Sequence, residues 1–289
     1  MPRANAFPSL MQTCLILFSI PTLLNANPPL PEKKLHSAQT AAQSDAQEAL
    51  NRGVAAFKNG QTQEAEQFFE RAKALDPSFI NARLYLATSY ASQYIPGAPS
   101  KENVQIGRRG IEEFNGVLDL DPNNISAIDG IGSLLFQMAG QPFSPELLLE
   151  SKSYHQRHIQ VRPEDPEPYY WIGVIDWTLA FRANGVLRQR INNGVAKLGA
   201  ADPLPPELRE QYSQEYGATI DEGIESTNHA IKLKPDYEDA MAYLNLLYRR
   251  KADIAADDAE REKFIQMADD LVDKVKEIKE ARAKAAGQN

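Results

Sequence analysis

From Ala46 onward the apolar residues fall at three- and four-residue spacing, the period of helices with one buried face. Ala65, Phe69 and Ala72 share such a face. So do Leu86, Ala87 and Tyr90; Ile128, Ile131 and Leu135; Tyr169, Ile172 and Gly173; and Met241, Leu244 and Tyr248. No stretch alternates with the two-residue period of a strand, and the pattern predicts an all-α chain. Proline punctuates it. Asp76-Pro77, Asp121-Pro122, Arg162-Pro163 and Lys234-Pro235 each close a helix, because proline has no amide hydrogen to donate and blocks the α conformation of the residue before it. Each is followed by the start of another amphipathic helix.

The clearest unit is Ala49 to Pro77, ALNRGVAAFKNGQTQEAEQFFERAKALDP. Gly53 sits where two helices would cross closely, Asn59-Gly60 turns the chain between them, and Pro77 closes the unit. The glycine, alanine, phenylalanine, alanine and proline positions resemble those of the tetratricopeptide repeat (TPR), a helix–turn–helix unit of about 34 residues. Two positions depart: Ala49 stands where tryptophan is usual and Arg52 where leucine is usual. The resemblance covers about residues 46–283, strong in the first repeat and degenerate after it. It implies a right-handed TPR superhelical solenoid of about five helical pairs over 46–285.

Closing prolines are 45, 41 and 72 residues apart (Pro77, Pro122, Pro163, Pro235), against about 34 for one repeat. The first excess falls near Tyr94–Pro99 and the second near Gly140–Pro145. The third, about 183–217, reads as helix and predicts that both helices of the fourth pair lengthen into a projecting hairpin, either a docking element or chain folded back as padding. Acids at Asp257–Glu262 and bases at Lys274–Arg282 complement the dipole of a last helix, whose polar face suits the end of a stack. Residues 286–289 are expected to be a disordered tail.

By similarity to the family, groove-lining positions are Asn81, Leu84 and Thr88; Asp129, Ser133 and Phe136; Tyr170, Val174 and Trp177; and Ala242, Leu246 and Arg249. Tyr170 and Trp177 stand between two readings, core and partner anchor, and Trp171 reads as core. The lysine and asparagine clamp that some TPR domains use on a carboxy terminus is absent, with Leu50 and Val54 in those places. The resemblance implies a non-catalytic adaptor or scaffold that holds a peptide or helix of a partner protein.

Residues 1–26 change the picture of where it acts. Arg3 is their only charge, Cys14–Leu24 is nearly all apolar, and Ala26 offers a small exit residue, the layout of a secretory signal peptide. The apolar run is shorter than the ~20 residues of a membrane span; a retained anchor is the other reading. Cleavage gives an exported, periplasmic chain with a net charge of −9 instead of −8 and no cysteine, Cys14 being the one present. Residues 27–45, with three prolines and little apolar bulk, read as a flexible linker.

Acidic excess without a basic stripe argues against nucleic-acid binding. One cysteine excludes a disulfide framework. His155 and His158, three apart on one helical face, are the pair that an alternative metal-binding or enzymatic reading rests on. No nucleophile elbow or phosphate loop accompanies them, so neither an enzyme nor a cofactor is expected. Binding within a cell-envelope complex is the wider expectation.

Overall fold

The computed structural model describes residues 32–194, 197–199 and 202–286. The expected signal peptide (1–26), residues 27–31 of the expected linker and residues 287–289 of the tail lie outside them. Among the described residues there are ten helices and no strand: α1 Glu32–Lys58, α2 Thr62–Leu75, α3 Ile80–Gln93, α4 Lys101–Leu120, α5 Ile125–Met138, α6 Pro145–Val161, α7 Pro166–Asn192, α8 Pro206–Leu233, α9 Glu238–Asp253 and α10 Asp258–Ala286. The chain divides at Ala41/Ala42. On the amino-terminal side, helix begins at Glu32, inside the stretch expected as linker. Past Pro31 that stretch contains no proline or glycine and is rich in alanine and glutamine, which favour helix. At the other end, Ala286 is the last residue of α10, not the start of a tail.

Residues 42–286 form five antiparallel helical pairs. The turns that join one pair to the next are all four residues long: 76–79, 121–124, 162–165 and 234–237. Their geometry repeats. Asp76, Asp121, Arg162 and Lys234 precede proline and take φ of −137°, −138°, −138° and −133°, the extended backbone that a following proline imposes. Each still donates its N–H to the carbonyl four residues back, and each carbonyl accepts from the amide three residues on (Phe79, Asn124, Asp165, Tyr237) at 3.0–3.2 Å. Asn124 and Asp165 then cap α5 and α7 with their side chains.

The turns inside the pairs vary instead: 59–61, 94–100, 139–144, 193–205 and 254–257. All the extra loop length lies at this edge. Gly60 turns the first at a φ of +75°, open to glycine at no steric cost. Asn103 pins the second, accepting from Ile95 N–H at 2.8 Å and donating to the Ile95 and Ala98 carbonyls at 2.8 and 3.0 Å. Ser144 caps α6 at the third. Asn192 and Arg188 hold the fourth, Arg188 donating to the Gly199 and Asp202 carbonyls at 2.8 and 2.9 Å.

Packing within the pairs, and between α4 and α5, depends on small residues at helix crossings. A Cβ on Gly53 would lie 2.5 Å from the Phe69 ring, on Gly130 2.4 Å from Phe114, and on Gly173 2.2 Å from Thr227 Cγ2. Arg52 tolerates its unusual place by lying exposed over the Phe68 ring at 4.4 Å. The fourth pair is long, with 27 residues in α7 and 28 in α8 against 14 in α2 or α3. It does not stand free. Leu187, Leu204 and Tyr212 form a core with Ile254 against it. Arg188 also reaches Asp253 at 3.1 Å and Arg209 donates to the Ala255 carbonyl at 3.0 Å, both at the end of α9. The extra helix is thus folded back onto the fifth pair.

Candidate functional site

The first helices of the pairs (α3, α5, α7, α9) carry the residues expected to line a groove. The structure sorts them by one rule. In the fourth and fifth pairs, the aromatic eight residues after the closing proline meets aromatics seven or fourteen residues after the preceding one. Phe136, at fourteen, meets Trp171, at eight, edge-on with ring centres 5.3 Å apart. Trp177, at fourteen, meets Tyr243, at eight, edge-on at 5.5 Å. Tyr170, at seven, meets Tyr243 at 5.7 Å and Tyr237 at 5.1 Å. Tyr170 also packs on Trp171 at 5.5 Å, and Trp177 stacks on Phe181 at 4.9 Å. The result is one unbroken strip of rings across α5, α7 and α9: Phe136, Trp171, Tyr170, Tyr243, Trp177, Phe181. The first five are half-buried and Phe181 is 46% exposed.

Polar ends of the strip are fixed. Glu167 accepts from Trp171 Nε1 at 3.1 Å and from Tyr237 Oη at 2.6 Å. Burial pushes the Tyr170 phenol up to about 12, with Tyr243, Asp239 and Glu167 adding to the rise. The ring therefore stays neutral at ordinary pH, and the strip is uncharged.

The other candidates are dispersed. Asn81 is exposed and Leu84 half-buried against the core of the second and third pairs. Thr88 spends its hydroxyl on the Leu84 carbonyl at 2.7 Å. Asp129 accepts from His158 Nδ1 at 2.7 Å, and Ser133 accepts from Gln137 at 3.2 Å. Val174, 2% exposed, is core and lines no groove. Leu246 and Arg249 are not in the strip: both lie against α10. Leu246 lies beside Leu271 and Val275 in a cleft of about 300 Å³, and Arg249 pairs with Asp269 at 2.7 Å. Trp171, read as core, is half-buried in the strip. Tyr243 was missed, although Tyr85, Trp171 and Tyr243 place an aromatic eight residues after three of the four closing prolines.

His155 and His158 are both buried, 2% and 1% exposed. His155 lies flat against Trp171, ring centres 5.7 Å apart, with neither nitrogen hydrogen-bonded. Burial, and then the nearby His158, depress its pKa to about 4, so the ring is neutral. His158 sits between Asp129 and Asp165, the latter 3.5 Å from Nε2. Among the described residues no group of three or more His, Cys, Asp or Glu gathers in a way that holds a metal ion. Nor is any helix among them long and apolar enough to cross a membrane.

Residues 46–79 match the model of the tetratricopeptide repeat. Solved structures extend the likeness to the rest. MamA from Desulfovibrio magneticus RS-1, residues 41 to the end, superposes with a TM-score of 0.53 at 15% identity, over 82% of this chain and 96% of that one. Another MamA crystal structure gives 0.52 at 16%, over 80% and 93%. YrrB, described as a TPR protein with an unusual peptide-binding site, gives 0.50 at 14%, over 86% and 97%. No curated protein matches the sequence. At such identities the likeness is one of fold. Residues 46–79 are thus a tetratricopeptide repeat by sequence, and the chain as a whole has the fold of the tetratricopeptide-repeat solenoids.

Proposed function

We infer that this protein is a non-catalytic adaptor or assembly scaffold, exported to the periplasm by residues 1–26, that holds a peptide or helix of a partner protein. The observation that carries the reading is the aromatic strip from Phe136 to Phe181. Half-buried aromatic side chains held by their neighbours offer large, rigid contact area at small entropic cost, and such residues dominate binding energy at protein interfaces. A ring packed on one face and open on the other is already ordered before a partner arrives, so little rotamer freedom remains to be lost. Association with a cell-envelope complex follows from the export reading.

The test is affinity purification of the tagged protein from fractionated cells, with the amino terminus of the recovered chain sequenced. The expected result is a chain starting near Asn27 with one stoichiometric partner, lost with Tyr170→Ala or Trp177→Ala. A full-length cytoplasmic chain refutes the export reading. A partner retained by both variants refutes the strip.

A further inference from the structure

The three stretches of extra chain converge on one edge. Pro96, from the 94–100 loop, and Phe143, from the 139–144 loop, line a cleft of about 420 Å³ together with Phe136, Thr178 and Arg182. Phe143 and Arg182 are also walls of a larger cleft of about 700 Å³, built on the carboxy-terminal half of α7 and the start of α8. Its apolar surface comes from Leu179, Phe181, Val186, Leu187 and Tyr216; Phe181 and Val186 are 46% and 48% exposed. The strip of rings ends at Phe181, where this cleft begins.

The charges around it are uneven. Arg188 is turned inward and held by Asp253, Asn184 and two loop carbonyls. Arg182 and Arg190 are exposed. Arg182 lies over the Phe143 ring at 5.2 Å, and among the described residues neither has a carboxylate within ion-pairing distance, in a chain with eight more acids than bases. The one acid of the cleft, Glu215, accepts from Gln211 at 3.0 Å. Two unpaired guanidiniums, eight residues apart on α7, are therefore separated by about 12 Å along the helix axis and flank an apolar floor.

We propose that the larger cleft, between the 139–144 loop and the lengthened α7–α8 pair, docks an acidic amphipathic segment of a partner protein, apolar side chains against Phe143, Phe181 and Val186 and carboxylates on Arg182 and Arg190. The proposal rests on the reading of the chain as a scaffold and adds the chemistry of what it holds. Guanidinium–carboxylate pairing at a rim of this kind fixes register and steers association. A spacing of about 12 Å matches acids seven or eight residues apart on a helix, or three or four apart on an extended segment.

Purified protein is to be incubated on an array of random 15-residue peptides. Selected peptides are expected to combine apolar residues with acids at those spacings. The best of them, fluorescein-labelled, should bind with saturation, at least tenfold more weakly to the Arg182→Glu/Arg190→Glu variant. Replacing its acids by lysines should restore binding to that variant. Selection blind to charge, or equal affinity for protein and variant, overturns the proposal. Loss with Trp177→Ala but not with the charge reversal also overturns it and leaves the aromatic strip as the docking site. A dimer of this chain that the charge reversal dissolves shows a second copy in the cleft and overturns the foreign segment.

Discussion

Gly173 and Gly185 lie on the same helix, and replacing each by alanine should move stability in opposite directions. At Gly173 a Cβ would meet Thr227 Cγ2 at 2.2 Å and the Gly223 carbonyl at 3.4 Å. Thr227 is fully buried, and its hydroxyl donates to the Gly223 carbonyl at 2.7 Å. Ordinary carbon–carbon contact is about 3.5–4.0 Å, so α7 and α8 must part by more than about 1 Å or Thr227 must leave its rotamer and lose its bond. Overpacking of this kind costs about 1–3 kcal/mol, against which alanine returns up to about 1 kcal/mol of helix propensity. At Gly185 nothing lies within 4 Å of the added carbon, so only the gain remains. Urea denaturation followed by circular dichroism should place Gly173→Ala about 1–2 kcal/mol below the parent and Gly185→Ala about 0.5–1 kcal/mol above it. Thr227→Ser keeps the hydroxyl and removes the clashing methyl, so it should recover most of the loss in the double variant. Equal stability of the two alanine variants, or a Gly173→Ala loss untouched by Thr227→Ser, refutes the close crossing of α7 and α8.

Three further outcomes follow from buried polar groups. His155 has its folded pKa lowered to about 4 from 6.5, so its neutral ring supports the fold above pH 6.5 and that support drains as pH falls toward 4. A shift of this size is worth about 3 kcal/mol at most; His155→Phe should flatten the acid limb of a stability–pH profile, and an unchanged limb refutes the assignment. Asp176 is fully buried, 2.7 Å from Lys152, and desolvation pushes its pKa up to about 7 despite the lysine. The fold then binds a proton the unfolded chain has released, so stability should fall as pH rises from about 4 to 7; Asp176→Asn should remove that slope, measured in the same profile. Arg188→Ala removes one of the groups that hold Asp253, leaving Arg250 and Asn184 on it, and frees the 193–205 loop, at a cost of about 1–3 kcal/mol for the lost charged hydrogen bonds. Limited proteolysis should then cut near Gly199, and a loop as protected as the parent's refutes the stapling role.

The pairing of helices was legible because proline fixes the turns. Every closing Pro is followed by a first helix, and the residue before it takes the same extended conformation in all four turns. Pro-rich 27–31 gives the whole of 27–45 a linker-like composition, but residues 32–45, with alanines and glutamines and no proline, form the first half of α1. The site was half legible. Tyr170 and Trp177, groove candidates by family similarity, lie in the strip, but Tyr243 is not among those candidates, because family similarity supplies positions on one helix while the strip is made where neighbouring helices meet. The same reasoning placed Leu246 and Arg249 in the groove. Leu246 is equivalent to Val174, a core position, and Arg249 to Trp177, but both pack against α10 instead of a first helix, Leu246 beside Leu271 and Arg249 on Asp269.

Why the extra chain gathers at one edge has a physical answer. A four-residue turn between pairs sets how each first helix lies on the one before, and ring contacts such as Phe136–Trp171 and Trp177–Tyr243 depend on that setting. Lengthening such a turn would loosen every pair beyond it. A turn inside a pair joins two helices already locked by crossings such as Gly173 against Thr227, and closing a longer loop there costs only about 0.6 kcal/mol per doubling of its length. Loops of seven, six and thirteen residues are therefore tolerated at 94–100, 139–144 and 193–205. Each is then tied down by a side chain: Asn103, Ser144 and Arg188. Shortening 94–100 to the three-residue turn of the first pair should leave the helices folded while removing Pro96 from its cleft. That smaller cleft shares Phe143 and Arg182 with the docking cleft but not Arg190, so an intact circular dichroism spectrum with acidic-peptide binding weakened less than by Arg182→Glu/Arg190→Glu is the expected result, and collapse of the helical signal would show that this loop holds the stack together instead.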